Sequence, residues 1–167
     1  MTGVVEVGVA HGGVLAHDVH AANLVPEGLP APVPENDDLS KPYWEGLKAE
    51  KLMVQKCNGC GQHQFGPEWI CHNCNSFDLD WVEVAGKGKI YSWERAWHPV
   101  HPALRALEGE PYITVLVELP AAGNIRMIGN LLGDRRQDVV IGSDVEVVFE
   151  HHTDNDPPYS LAHWKVV

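Results

Sequence analysis

The sequence has few basic residues: 12 lysines and arginines stand against 23 aspartates and glutamates, a formal net charge of -11. Binding a polyanion needs concentrated positive charge, so this balance disfavours nucleic acid as the main partner. No apolar run approaches the roughly 18 residues of a membrane helix, and the N-terminus lacks the basic-then-apolar pattern of a secretory signal. A cytoplasmic chain with no membrane contact is expected. There is no internal repeat, and no serine sits in a Gly-x-Ser-x-Gly elbow. At 167 residues the chain can bury one modest core and a satellite, which excludes a large multi-domain enzyme. Apolar residues at 44% are enough to fold a domain of that size.

The chain opens on an irregular stretch. Residues 1–36 mix Gly, Ala, Val and His, and the Pro-x-Pro-x-Pro run from Pro30 to Pro34 favours an extended arm. From Asp37 the pattern changes. Asp38 and Ser40 offer capping oxygens, Pro42 suits a first helical turn, and Tyr43, Trp44 and Leu47 recur at helical spacing, predicting a short helix that ends near Glu50 within a segment 37–51. Leu52, Val54 and Lys56 then alternate with Met53 and Gln55 as in a strand. Beyond Cys74 come β-like runs: Trp81 to Val84, Gly88 to Arg95, Tyr112 to Leu119, Ile125 to Leu132, Val145 to Phe149 and Leu161 to Val167. Short strands without helical stretches between them predict a mainly β fold, a ribbon over 52–80 followed by an OB-type barrel over 81–167.

All four cysteines lie together: Cys57 and Cys60, ten intervening residues, then Cys71 and Cys74. Two Cys-x-x-Cys knuckles bring four thiolates to one tetrahedral point, the geometry of a closed structural zinc site. Such a shell leaves no position for water or substrate, so the expected metal folds the segment and catalyses nothing. Iron also accepts tetrahedral sulfur, and the spacing does not separate the two; zinc is the commoner occupant. Disulfides fit poorly in a cytoplasmic chain. His63 and His72 flank a shell that is already full, and His151 with His152 read as a solvated turn after a strand.

Every cysteine being spoken for, nucleophilic catalysis would need an activated serine; Ser40 reads as a helix cap and Ser92 lies inside a predicted strand. The acid pairs Asp37 with Asp38 and Asp154 with Asp156 fall in turn-like segments, where solvated loop carboxylates are the rule. No active site of the chain's own is expected.

Three stretches together carry a family likeness: Leu39-Ser-Lys-Pro-Tyr-Trp-Glu45, the ribbon from Cys57-Asn-Gly-Cys60 to Cys71-His-Asn-Cys74, and Gly86-Lys-Gly-Lys-Ile-Tyr-Ser-Trp93. Over residues 37–167 the chain resembles the domain of unknown function thirty-five. That resemblance implies a helical N-terminus, a rubredoxin-like zinc ribbon, an OB-fold, and a place beside a thiolase-like enzyme, a thiolase or acyl-CoA aldolase. The partner would do the chemistry, in a heterotetramer degrading aromatic or steroid-type acyl-CoA thioesters.

Coenzyme A carries phosphates at one end and a thioester at the other, so a helper would supply charge and apolar rings. Arg95, Trp97, His98, Arg105, Arg126, Arg135 and Arg136 are the candidates for acyl-CoA binding, all in the barrel half. Tyr43, Trp44 and Leu47 are the candidates for docking on the partner, because aromatic anchors dominate interfaces. The rival reading is a single-stranded nucleic-acid module, a use that ribbons and OB barrels share and that the net charge opposes.

Overall fold

A computed structural model describes residues 38–98 and 109–167. The arm over 1–36, Asp37 and Arg105 lie outside the described residues. Among the described residues no helix is long and apolar enough to cross a membrane.

The predicted helix is α1, Lys41–Lys48, with Pro42 in its first turn. The Ser40 hydroxyl makes no capping hydrogen bond, contrary to expectation; its carbonyl accepts from the Tyr43 and Trp44 N–H groups instead. The turn after α1 brings Lys51 N–H back onto the Gly46 carbonyl at 2.8 Å, with Glu50 in the left-handed region.

Next comes a three-stranded antiparallel sheet, ordered β2-β1-β3, from β1 (Leu52–Cys57), β2 (His63–Gln64) and β3 (Leu79–Val84). The ladder between β1 and β3 runs from Leu52 against Val84 to Cys57 against Leu79. Thus the run at Trp81 to Val84, expected in the barrel, is hydrogen-bonded into the ribbon sheet.

The other five runs make a second sheet, ordered β6-β5-β4-β7-β8: β4 (Lys87–Ala96), β5 (Tyr112–Leu119), β6 (Ile125–Asn130), β7 (Asp144–His152) and β8 (Tyr159–Val166). β4 serves both halves. It pairs with β7 through Lys87–Lys89 and with β5 from Lys89 to Ala96, with a bulge between Ile90 and Ser92. Such a bulge sharpens twist and lets a sheet curl. The curl nearly closes: Leu131, just past β6, bridges Trp164 of β8 in parallel, and Leu132 N–H donates to the Trp164 carbonyl at 2.7 Å. This strand order with its parallel closure is that of an OB-fold barrel.

β5 alternates buried and half-buried residues throughout, so Ile113, Val115, Val117 and Leu119 all point inward. Each such burial stabilises by roughly 1.5–3 kcal/mol. Trp164 fills the seam, fully buried, and Gly129 of β6 makes room for it: a Cβ there would lie 2.8 Å from the indole. Leu47 of α1 and Leu52 and Val54 of β1 belong to this same core. The base of the ribbon and the barrel therefore share one apolar interior.

Candidate metal centre and its surroundings

Cys57 ends β1, and Gly61 in the left-handed region closes the first knuckle, with its N–H on the Cys57 carbonyl at 2.8 Å. The second knuckle copies it: Asn75, also left-handed, donates its N–H to the Cys71 carbonyl at 2.9 Å. All four sulfurs lie within 4.8 Å of one another; Cys57 Sγ is 3.5 Å from Cys74 Sγ, and Cys60 Sγ 3.7 Å from Cys71 Sγ. Four bonds of ~2.3 Å to a tetrahedral zinc put the sulfurs ~3.8 Å apart, so the cage fits zinc and is far too wide for disulfides.

The thiols are not equivalent. The Asn73 amide, 3.6 Å from Cys60 Sγ, and the Gln62 backbone N–H pull the Cys60 thiol down to about 6. For Cys74 the Ser76 N–H also favours the thiolate, yet the neighbouring thiols of Cys60 and Cys57 outweigh it, and the group is pushed up to about 12. Four crowded sulfurs cannot all ionise without a cation among them, and the N–H donors around the cage orient and soften its ligands.

Two buried glutamines support the cage. Gln64 Nε2 donates to Gln55 Oε1 at 3.0 Å and to the Ile70 carbonyl at 3.3 Å, while Gln64 Oε1 accepts the His72 N–H at 3.3 Å. Gln55 Nε2 reaches the Glu68 carbonyl at 3.0 Å. These amides stitch the loop between the knuckles to β1 and β2. Sequence reasoning missed both, reading Gln55 only as one member of an alternating strand.

The arginine and aromatic candidates separate into two places. Across the β4–β5 ladder Trp93 faces Val115 and Arg95 faces Ile113, so they share the side of the sheet that carries the core. Yet Trp93 and Trp97 are 38% and 43% exposed. Trp93, on the side of the sheet that carries the core, is thus still partly open to solvent. The Arg95 guanidinium donates to the Gln137 carbonyl and lies 5.3 Å from the Trp93 ring centre. Arg136 lies 5.1 Å from the Trp97 ring centre, reaches the Gly109 carbonyl at 3.0 Å and pairs with Glu110 at 3.7 Å. Arg135 is half-buried in the same loop, and His98 is exposed. Arg126 stands apart on β6, forked onto Glu118 at 3.2 Å and 3.4 Å from the Tyr91 ring centre.

Of the docking candidates, Leu47 has no surface to offer: it is fully buried, because the helix turns that side onto the shared core. Tyr43 and Trp44 are partly buried, edge to face at 5.3 Å, and Tyr43 also meets Phe65 of the ribbon at 5.5 Å. Burial pushes the Tyr43 hydroxyl up to about 12. The reading of His151 and His152 as a solvated turn is corrected as well. Both end β7; His151 lies 2.8 Å from Ser160 Oγ and 3.2 Å from Glu50, and His152 is buried, stacked on Tyr159 and 2.9 Å from Glu150. His163 of β8 approaches the other oxygen of the same carboxylate at 2.8 Å. Burial, then Glu150, raises the Tyr159 hydroxyl.

Two family models match in succession: the rubredoxin-like zinc ribbon domain of ChsH2 over residues 44–80, and its C-terminal OB-fold domain over 81–150. Among solved structures, the chain is similar to one titled Ltp2-ChsH2(DUF35) aldolase: 30% identity, a TM-score of 0.65, and coverage of 80% of this chain and 98% of that one. A DUF35 protein of unknown function from Sulfolobus solfataricus, 18% identical with a TM-score of 0.53, shares the fold over 78% of this chain and 86% of its own. A probable enoyl-CoA hydratase alpha subunit from Thermomonospora curvata is 38% identical over 103 residues, 62% of this chain but 30% of that protein's length. A DUF35 domain-containing scaffold protein from Methanocaldococcus jannaschii is 29% identical, over 64% of this chain and 73% of its own. The benzoylsuccinyl-CoA thiolase subunit BbsA from Geobacter metallireducens is 32% identical over 50% of this chain and about half, 51%, of its own length.

Proposed function

Since this chain belongs to the ChsH2 family, a zinc ribbon joined to an OB-fold domain, we propose that it is the non-catalytic subunit of a thiolase-like complex, a thiolase or acyl-CoA aldolase. The observation that carries this reading is the likeness to Ltp2-ChsH2(DUF35) aldolase, which spans 98% of that chain at 30% identity. The sulfur cage agrees with it, being closed to substrate and suited to holding shape. In this role the zinc stiffens the ribbon, and the partner's own residues make or break the carbon–carbon bond.

The surface around Trp93 and Trp97 supplies what an acyl-CoA site at a subunit boundary needs. Trp93 and Trp97 offer half-exposed rings, and Arg95 and Arg136 stack beside them. Rings and guanidinium groups so placed suit both a nucleotide end and an interface anchor. Arg135 and Arg136 belong to this proposed surface. Tyr43 and Trp44, partly open on the first helix, are proposed as a second contact with the partner.

The test is co-expression with a candidate thiolase-like protein, followed by co-purification and turnover of aromatic and steroid-type acyl-CoA thioesters. A stable assembly, a heterotetramer in this proposal, is expected, more active than the partner alone and slowed by charge reversal at Arg135 and Arg136. Turnover of a thioester by this chain alone, or a salt-sensitive shift of single-stranded oligonucleotide without partner binding, would overturn the reading.

A further inference from the structure

Between the ribbon and the barrel lies an open cleft of about 370 Å³ that none of the acyl-CoA candidates other than Arg126 touches. Its ribbon wall carries Gln62, His63 and His72; its barrel wall carries Asn124 and Arg126. Ligand clefts commonly measure ~300–1,000 Å³, so there is room for a phosphate and part of what it is attached to. None of the nine residues lining it is an aspartate or glutamate, in a chain that has 23 of them.

The walls are built rather than loose. Gly123 and Asn124, both left-handed at φ 64° and 62°, reverse the chain between β5 and β6 and carry Arg126 back beside the ribbon. Its guanidinium is held against the Tyr91 ring at 3.4 Å. Glu118 occupies Nε and Nη2 with the single oxygen Oε2, at 3.2 Å each, so Nη1 has no protein acceptor among the described residues. On the facing wall Gln64 anchors the His72 backbone, and Gly123 passes close to His63, whose Nδ1 lies 3.6 Å from where a side chain at 123 would begin. Neither imidazole has a side-chain hydrogen bond to a described residue.

We propose that this cleft is a binding site for a phosphate monoester, with the Arg126 guanidinium as the charged donor and His63 and His72 as ring N–H donors across from it. The inference deepens the acyl-CoA reading and rests on it for the physiological ligand, the ribose 3′-phosphate of coenzyme A; free inorganic phosphate carries the same chemistry. An arginine already flattened on a ring and half-engaged loses little freedom on binding, and a dianion shares its fork with Glu118 through Nη1.

The test is an NMR titration of the full zinc-loaded chain with coenzyme A, dephospho-coenzyme A and inorganic phosphate in turn. Saturable shifts confined to residues 62–65, 72 and 123–126 are expected with coenzyme A. Dephospho-coenzyme A should bind at least about tenfold more weakly, the scale of one charge-assisted contact. Inorganic phosphate shifting the same signals, with equal effect from dephospho-coenzyme A and coenzyme A, would assign the cleft to free phosphate. Arg126→Gln should weaken binding about tenfold or more, while Lys165→Gln, which removes a positive charge from the exposed end of β8, should not. His63→Asn serves as the second variant should Arg126→Gln disturb the barrel. Absence of saturable shifts with all three probes, or equal affinity in Arg126→Gln and Lys165→Gln, would overturn the proposal. Co-purification with a thiolase-like partner does not depend on this cleft, so the two readings fail separately.

Discussion

Between Cys57 and Asp78 the fully buried residues are Cys57, Gln64 and Cys71; Trp69 and Phe77, the segment's large aromatics beside Phe65, are 64% and 78% exposed. In the barrel the corresponding inventory is Ile90, Ile113, Val115, Val117, Leu119, Met127, Val145 and Trp164, all within 2% of complete burial. The tip of the ribbon thus has sulfur and amide groups where the barrel has aliphatic packing. A segment of that length cannot bury enough apolar surface to offset its chain entropy, so a cation must supply the difference. The seam between the regions is β1, whose Leu52 and Val54 enter the barrel's core while Cys57 at its other end enters the cage.

Chelating the metal tests the comparison most severely. Structural zinc contributes on the order of 10 kcal/mol to a folded ribbon. Hydrogen exchange should show protection lost across residues 57–78 and kept from Ile113 to Leu119. Simultaneous loss in both would mean that β1 couples the regions too tightly to be separate.

Removing the barrel's seam is the complementary experiment. Trp164→Ala is expected to cost about 3–5 kcal/mol in urea denaturation, because a fully buried indole leaves a void where the sheet closes. The sulfur cage should still take up zinc stoichiometrically. A cost below about 1 kcal/mol would mean that the parallel bridge at Leu131 does not hold the barrel shut.

A smaller effect should single out the amide network. Gln64→Leu keeps the side chain's bulk but strands the Ile70 carbonyl and the His72 N–H, while Gln55 Oε1 keeps the Glu68 N–H, a loss of about 1–3 kcal/mol. Zinc release to a competing chelator should be faster than in the parent, with the barrel's urea midpoint unmoved. Unchanged release kinetics would show that the cysteines alone shape the cage.

The smallest expected effect concerns Tyr43, where helix and ribbon touch. Its hydroxyl, raised to about 12 by burial, keeps its proton in the folded chain after the unfolded chain has lost it near 10. The stabilisation is therefore complete below pH 10 and is lost as pH rises from 10 towards 12. Tyr43→Phe should flatten that slope; an identical slope in the variant would assign it elsewhere.

Much of this was legible in the residues themselves. The ribbon's metal cage follows from two Cys-x-x-Cys pairs, since so short a loop leaves little choice of geometry. β5 was readable to the residue, Tyr112–Leu119, because its alternation matches a strand with one buried side. The run Trp81 to Val84 was readable as a strand but not as a partner of β1, since a four-residue run does not say which sheet it pairs with. Leu47 was readable as apolar but not as inward, for the helix offers its neighbours Tyr43 and Trp44 to the same solvent boundary. His152 and Glu150 gave no signal: two polar residues after a strand look like a turn until β8 places His163 beside them.

What the sequence determined by itself is the local chemistry: four thiols at metal spacing, a short helix, and strands whose alternation marks an inner face. What only the tertiary structure decided is which distant residues meet. The β6–β8 closure around Trp164, the stacking of Arg136 on Trp97 and the cleft that faces His63 towards Arg126 all join residues at least 30 positions apart. The physical reason is that composition and periodicity act within a turn or a strand, whereas sheet order, and with it the company each side chain keeps, is settled by packing of the whole core.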